Sequence, residues 1–285
     1  MSEEPPAAAG TAPAGTAAAG TAASAAPPGG AWGSTLTVQE FAAVSGVGFA
    51  PVGQAFGAAV YAAGSASGSS CPGSFEPLVA AMYQARRTAV DRMTAECAAV
   101  GGHGVVGVRL TRGSFVLGGL EFTAVGTAVR AAGAAGPRVP FTSDLSGQDF
   151  ARLITAGWVP AGLALGIAIR SRHDDRATAR QARPWKGNAE VTGWTELVNQ
   201  CRRDARDQLE QDVRRLGAEG VVLTGMQLRV RERACPVIVG RRDHIVEVTL
   251  IGTAIARFAP AGHRPARPAL TVMPVGPRAP GRWIS

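Results

Sequence analysis

One series of motifs runs through this chain twice. Gln39-Glu40-Phe41-Ala42 returns as Gln148-Asp149-Phe150-Ala151, 109 positions on. Gly48-Phe49-Ala50-Pro51-Val52-Gly53 returns as Gly157-Trp158-Val159-Pro160-Ala161-Gly162 at the same offset. Gly101–Val106 matches Gly217–Val222 at an offset of 116, and Val125–Val129 matches Ile251–Ile255 at 126. The order of motifs is kept while the spacing grows, so the second copy carries longer loops between the same elements. Such a chain is constrained to fold as two similar units, and positions held in both copies mark what the fold requires. Those positions include Gly48, Pro51, Gly53, Arg86, Gly101, Gly104, Gly126 and their partners Gly157, Pro160, Gly162, Arg202, Gly217, Gly220, Gly252.

Each copy opens on an apolar segment, Phe41–Val60 or Phe150–Ile169, whose Gly and Pro residues predict a strand with a bulge or turn. A loop follows, rich in Gly and Ser in copy one and in Arg in copy two. A long helix comes next, about Glu76 to Val100 and about Thr195 to Leu216. Its apolar stripe is Leu78, Met82, Ala85, Ala89, Met93, Cys97, Val100 in one copy and Val198, Cys201, Ala205, Leu209, Val213, Leu216 in the other. Steps of three and four place such residues on one helix face. Pro77 suits the first turn, and Gly101 and Gly217 stand where a left-handed cap ends a helix. Two β-rich segments close each copy, Val105–Arg112 with Leu120–Arg130, and Val221–Arg231 with Ile245–Arg257. The fold class is α+β, two tandem units of strand–loop–long helix–strand–strand with an antiparallel-rich sheet. A single helix covers one face of such a sheet, so the other face and the edges want a partner.

The recurring Phe-x-x-Val/Leu-x-x-x-Gly-Phe/Trp-x-Pro-x-Gly, the glycine-rich turn Ala99–Val108 and the Val-Gly-Thr-Ala-Val strand resemble the YbjQ-like heavy-metal-binding family. The resemblance spans roughly residues 36–131 and 141–258. It implies a small dodecin-like domain that assembles into rings, pentamers being the best-known form, with no established reaction. The expected organisation is a disordered Ala/Gly/Pro-rich tail over 1–33, a first domain over 34–131, a linker over 132–144, a second domain over 145–258, and a disordered Pro/Arg-rich tail over 259–285.

The formal charge of +8 rests on arginine, with Lys186 the single lysine. The cluster Arg170, Arg172, Arg176, Arg180, Arg183, Lys186 has only Gly, Ala and Ser opposite it in copy one, and no aromatic residues alternate with it. Nucleic-acid binding is therefore not expected. The uncharged run Phe41–Phe75 is broken by Pro51 and many glycines, and its partner Leu153–Ile169 is short for a span, so membrane insertion is not expected either. No basic region precedes an apolar run at the start, which predicts a cytoplasmic protein.

The four cysteines, Cys71, Cys97, Cys201 and Cys235, include no Cys-x-x-Cys pair. Cys97 is replaced by Val213 in the other copy and Cys201 by Ala85, the behaviour of small core residues. His103, His173, His244 and His263 have no histidine counterparts. No cofactor is expected. If a metal binds, the weak candidates are the shared carboxylates Glu96 and Asp212 near the helix ends, and Glu121 and Glu247 on the last strands. The other shared polar positions are Arg86/Arg202, Arg87/Arg203, Asp91/Asp207, Thr123/Thr249 and Thr127/Thr253. No recurring nucleophile–base set, phosphate loop or dinucleotide fingerprint is present. The expectation is a non-enzymatic, ring-forming homo-oligomer serving as a scaffold, any ligand pocket lying between domains or subunits. The alternative is a metal or small-ligand binder.

Overall fold

The computed structural model describes residues 33–62, 75–116, 119–133, 136–183, 187–235, 238–258 and 272–274. The readings made for most of both tails, for the Gly/Ser loop with Cys71, and for Lys186 and His263 fall outside these residues.

Repeat 1 consists of helix α1 (Val38–Gly46), strand β1 (Phe49–Ala62), helix α2 (Glu76–Ala99) and strands β2 (Gly104–Ser114) and β3 (Gly119–Ala131). Strand β4 (Phe141–Thr142) leads into repeat 2, which comprises α3 (Gly147–Thr155), β5 (Trp158–His173), α4 (Arg176–Gln181), α5 (Thr192–Arg215), β6 (Gly220–Ala234) and β7 (Arg242–Arg257). Strand β8 (Val272–Pro274) completes the chain's elements. Two four-stranded sheets result, ordered β1-β3-β2-β4 and β5-β7-β6-β8. All pairings are antiparallel except β2 with β4.

The opening segment of each copy differs from the expected single broken strand: its first part is a helix. Thr37 and Glu40 form a capping box on α1, and Ser146 accepts from the Asp149 amide at the start of α3. The repeated Gln-Glu/Asp-Phe-Ala motif is therefore a helical first turn. Gly48 and Gly157, with φ of 84° and 83°, then turn the chain into the strand. The Pro-x-Gly that follows makes the expected bulge, because the register with the partner strand shifts between Pro51 and Gly53 and between Pro160 and Gly162.

The long helices end as their glycines require. Gly101 and Gly217 have φ of 70° and 65°. The amide of Gly102 donates to Cys97 and that of Ala218 to Val213, the six-to-one bond of a Schellman close. Helix α2 presses Ala85, Ala89, Met93 and Cys97 onto β1 and β3, and α5 presses Cys201, Ala205, Leu209 and Val213 onto β5 and β7. Gly57 and Gly166 allow this approach. A Cβ at either would lie 2.0 Å from a helix carbonyl, Ala89 O or Ala205 O. Three features go beyond the sequence reading: α4 lies in the arginine-rich loop, β4 in the expected linker, and β8 in the expected C-terminal tail.

The two repeats share buried surface. Val44, Val106, Val129, Leu145, Phe150, Leu153, Val222 and Ile255 form one cluster drawn from both, and Phe49, Phe141 and Phe150 stack or meet edge-on around it. Among the described residues no helix is long and apolar enough to cross a membrane.

Candidate functional site

The contact between the repeats is built in a consistent direction. The sheet of repeat 2 turns Ala164, Ala168, Val246, Val248 and Leu250 to its own helix, α5. Its other face carries Leu163, Ile167, Ile169 and Ile245, and these join the core of repeat 1. Helix α2 thus lies between two sheets, its own and the back of the next. A cleft of about 870 Å³ opens along this seam between α2 and α5, with Ile167–Ser171 on one side and Phe75, Val79 and Tyr83 on the other.

Polar residues fix the seam. Glu247, 2 % exposed, accepts from Arg112 Nη1 of repeat 1 at 2.7 Å and from Arg231 at 3.3 Å. Arg86 is buried over the Phe122 ring and feels the Glu247 charge; burial, with Arg112 beside it, pushes its guanidinium down to about 10. Asp212 accepts from the Leu165 amide at 3.1 Å, from Arg215 at 2.7 Å, and from the Tyr83 hydroxyl of repeat 1. Burial raises its carboxyl above the ordinary aspartate value. The entry of repeat 2 also pairs with β2: the Val108 amide donates to Ser143 O and the Gly107 amide to Leu145 O.

Of the shared threonines, Thr127 and Thr253 hold the entry segments of the repeats. Thr127 Oγ1 accepts from the Thr35 amide at 2.9 Å, and Thr253 Oγ1 accepts from the Asp144 amide at 3.1 Å. Glu96 does for Phe56 what Asp212 does for Leu165, accepting its amide at 2.6 Å. The four carboxylates named as metal candidates are therefore placed apart. Glu96 and Asp212 cap strand amides, Glu247 is neutralised by arginine, and Glu121 sits opposite Val60 on the half-open back of the first sheet. Arg86 is buried at the seam while its counterpart Arg202 is exposed.

The two repeats differ most in what they leave bare. The back face of sheet 1 carries Phe56 and Val60, 49 % and 48 % exposed, where sheet 2 has buried Leu165 and Ile169. Sheet 2 leaves Met226, Leu228 and Val230 bare on the α5 side of β6, the positions next to Leu250, Val248 and Val246. On β2, the strand corresponding to β6, Leu110 is packed into the core and Arg112 reaches the next sheet.

A family model described as "Putative heavy-metal-binding", the YbjQ family, matches residues 56–132 and again 159–257. The chain belongs to this family, with both halves. It is also 36 % identical, over 237 residues, to a Mycobacterium tuberculosis protein named Encapsulin nanocompartment protein Rv1762c, covering 79 % of this chain and 85 % of the relative. No solved structure matches it.

A YbjQ chain invites a test of its metal-ligating groups. Cys97 and Cys201 are fully buried, burial pushes both thiols up to about 11, and their Sγ atoms meet backbone carbonyls of Gly104, Ala168 and Val246. These are core thiols, as their exchange with Val213 and Ala85 implies. His244 is held between Asp174, at 3.0 Å, and Glu232, at 3.5 Å, against the Trp194 ring. Among the described residues one group has the composition of a metal site: His173, Cys235 and Asp243. They come from three strand ends and lie 62 and 8 residues apart in sequence, so no local spacing signals them.

Proposed function

We propose that this YbjQ-like protein is a non-enzymatic, self-assembling structural protein. Its chains join head to tail by repeating between molecules the contact that joins the two repeats within one. The observation that carries the reading is the complementary pair of bare surfaces. In repeat 2 the sheet back is covered by α2; in repeat 1 the same face, with Phe56, Val60 and Glu121, is open. At the other end, α5 and the β6 row Met226, Leu228, Val230 stand where α2 and β2 stand at the internal contact, and are open as well. Each chain thus offers one half of the internal interface at either end. Arg202 on α5, the counterpart of Arg86, would meet the sheet carrying Glu121, while the position of Arg112 is taken by the exposed Leu228.

A heterologous contact of this kind closes into a ring or runs on as a filament. A cytoplasmic ring is the form we favour. Whole chains add domains in twos, so a single ring made only of this contact holds an even number of domains, unlike the pentamer that the family resemblance implies for a single-domain chain. The name of the mycobacterial relative, a nanocompartment protein, supports an assembling role. β4 and β8 pair only with the first residues of β2 and β6, Gly104–Val105 and Gly220–Val222, and the joint proposed here is face packing of the kind that joins the two repeats. Any small ligand would enter at the seam cleft between α2 and α5.

Sedimentation velocity tests the reading. The wild-type chain is expected to sediment as a multimer of the 29.1 kDa subunit. Phe56→Glu, which places a charge on a half-exposed position, is expected to fold normally and sediment as a monomer. A monomeric wild type at micromolar concentration, or a multimer indifferent to Phe56→Glu, would refute it.

A further inference from the structure

We propose that His173, Cys235 and Asp243 form a binding site, one per chain, for a divalent cation of borderline softness such as zinc, with His173 Nδ1, Cys235 Sγ and an Asp243 carboxylate oxygen as ligands. His173 closes β5, Asp243 is the second residue of β7 and lies directly opposite it in the ladder, and Cys235 follows the last residue of β6. One ligand atom from each falls within 4.8 Å of the others, and His173 Nδ1 is 2.5 Å from Asp243 Oδ1. Zinc bonds of ~2.0–2.3 Å put tetrahedral ligands about 3.3–3.8 Å apart. The site reaches that geometry by opening the His–Asp contact and drawing the thiolate in, each by an ångström or so.

The donor set selects the ion. A nitrogen, a sulfur and an oxygen suit zinc, cobalt or nickel, and disfavour calcium and magnesium, which take oxygen shells. A thiolate and a carboxylate together neutralise a divalent charge. The surroundings already hold the ligands in place. The Ile238 amide donates to Cys235 Sγ at 3.2 Å, a bond that favours sulfur carrying negative charge. The Cys235 amide donates to Arg241 O, tying this residue to the start of the returning strand. Arg233 Nε donates to Asp243 Oδ2 at 3.2 Å, orienting the carboxylate from behind and leaving Oδ1 toward His173. Cys235 and Asp243 are buried, while the His173 side chain keeps 22 % of its surface. A cleft of about 510 Å³ lined by Glu232–Cys235 and Val239–Arg242 reaches the set at Cys235, while His173 and Asp243 lie outside its lining.

The site is a property of repeat 2. Its hairpin is longer, β6 and β7 having 15 and 16 residues against 11 and 13 in β2 and β3. The positions matching His173 and Asp243 in repeat 1 are Gly64 and Leu117. The site lies at the end of sheet 2 away from the cluster that holds Val222 and Ile255, and none of its three ligands is among the residues assigned to the joint between chains.

Cobalt(II) titration of the full chain, followed by absorption, tests the proposal, with zinc competition and elemental analysis for stoichiometry. One cobalt per chain is expected, with a sulfur-to-cobalt charge-transfer band displaced by zinc. Cys235→Ser should abolish the band, and His173→Ala, at the least buried of the three positions, should weaken affinity at least tenfold. Cys97→Val and Cys201→Ala should leave both band and stoichiometry unchanged. Circular dichroism of Cys235→Ser and His173→Ala checks that the fold is kept. A chain that takes up no cobalt, or one whose charge-transfer band survives Cys235→Ser, would overturn the assignment. So would an unchanged affinity in His173→Ala.

Discussion

Replacing Glu247 with alanine tests the reasoning about the seam, because the same substitution can be made at Glu121 as its internal control. Glu247 is 2 % exposed and holds Arg112 at 2.7 Å and Arg231 at 3.3 Å, with Arg86 buried close by. Breaking one side of a buried pair costs about 3–5 kcal/mol, since the remaining charge is left without compensation. Arg112 keeps 19 % of its side-chain surface and Arg231 60 %, so both can turn partly to water. Arg86 cannot. The expected loss for Glu247→Ala is therefore about 2–3 kcal/mol, below the full range for a buried pair. With a urea slope of about 2 kcal/mol/M, the midpoint falls by roughly 1 M. Glu121→Ala, on the half-open face, should cost no more than about 0.5 kcal/mol in the dissociated chain. In the assembled protein it should instead weaken association. A loss below about 1 kcal/mol for Glu247→Ala, or equal losses at both positions in the dissociated chain, would refute the account of the seam.

Gly57→Ala and Gly166→Ala should each lower stability by at least about 1–3 kcal/mol in chemical denaturation, because the added methyl meets a helix backbone that cannot yield locally. Gly217→Val should cost more than about 1 kcal/mol through its φ of 65° alone, there being open space around it. Cys97→Val and Cys201→Ala should each stay below about 1.5 kcal/mol in thermal melts, since each installs the residue the other repeat already uses. Glu40, whose carboxyl is held below its ordinary value chiefly by the Thr37 amide, should give a pH signature. Its lowered folded value means that its contribution is fully present above about pH 4.5 and is lost as pH falls through the folded value. The stability gap between wild type and Glu40→Gln should close on acidification, and a gap that widens would contradict the sign.

Much of this fold is legible in the sequence because duplication separates constraint from accident. The long helices, their glycine caps, the bulges at Pro51 and Pro160 and the two closing hairpins all follow from periodicity and from glycine and proline chemistry. The short helices α1 and α3 were hidden because their apolar residues, Phe41, Ala42 and Val44 or Phe150, Leu153 and Ile154, suit a strand as well as a helix. The deciding signal, Thr37-x-x-Glu40 and Ser146-x-x-Asp149, is a capping pattern of only four residues. The sites were less legible. Glu247 reads like Glu121 in sequence, and only the order of the two repeats buries one and bares the other. His173, Cys235 and Asp243 meet solely through strand register, which one-dimensional spacing does not encode.

The central claim is that chains join as their own repeats do, and cross-linking between two surface-cysteine variants, each made in a chain whose four native cysteines have been replaced, tests it most directly. Within the chain, Tyr83 of repeat 1 donates to Asp212 of repeat 2. The positions corresponding to these, Asn199 and Glu96, are both exposed and would face each other across the joint between chains. Asn199→Cys and Glu96→Cys proteins, purified separately and treated with a short bismaleimide, should each remain uncross-linked. Mixed under exchange, they should give a covalent heterodimer, because the joint is heterologous and pairs unlike surfaces. Cross-linking of either variant with itself, or none in the mixture while the protein sediments as a multimer, would show that the chains associate some other way.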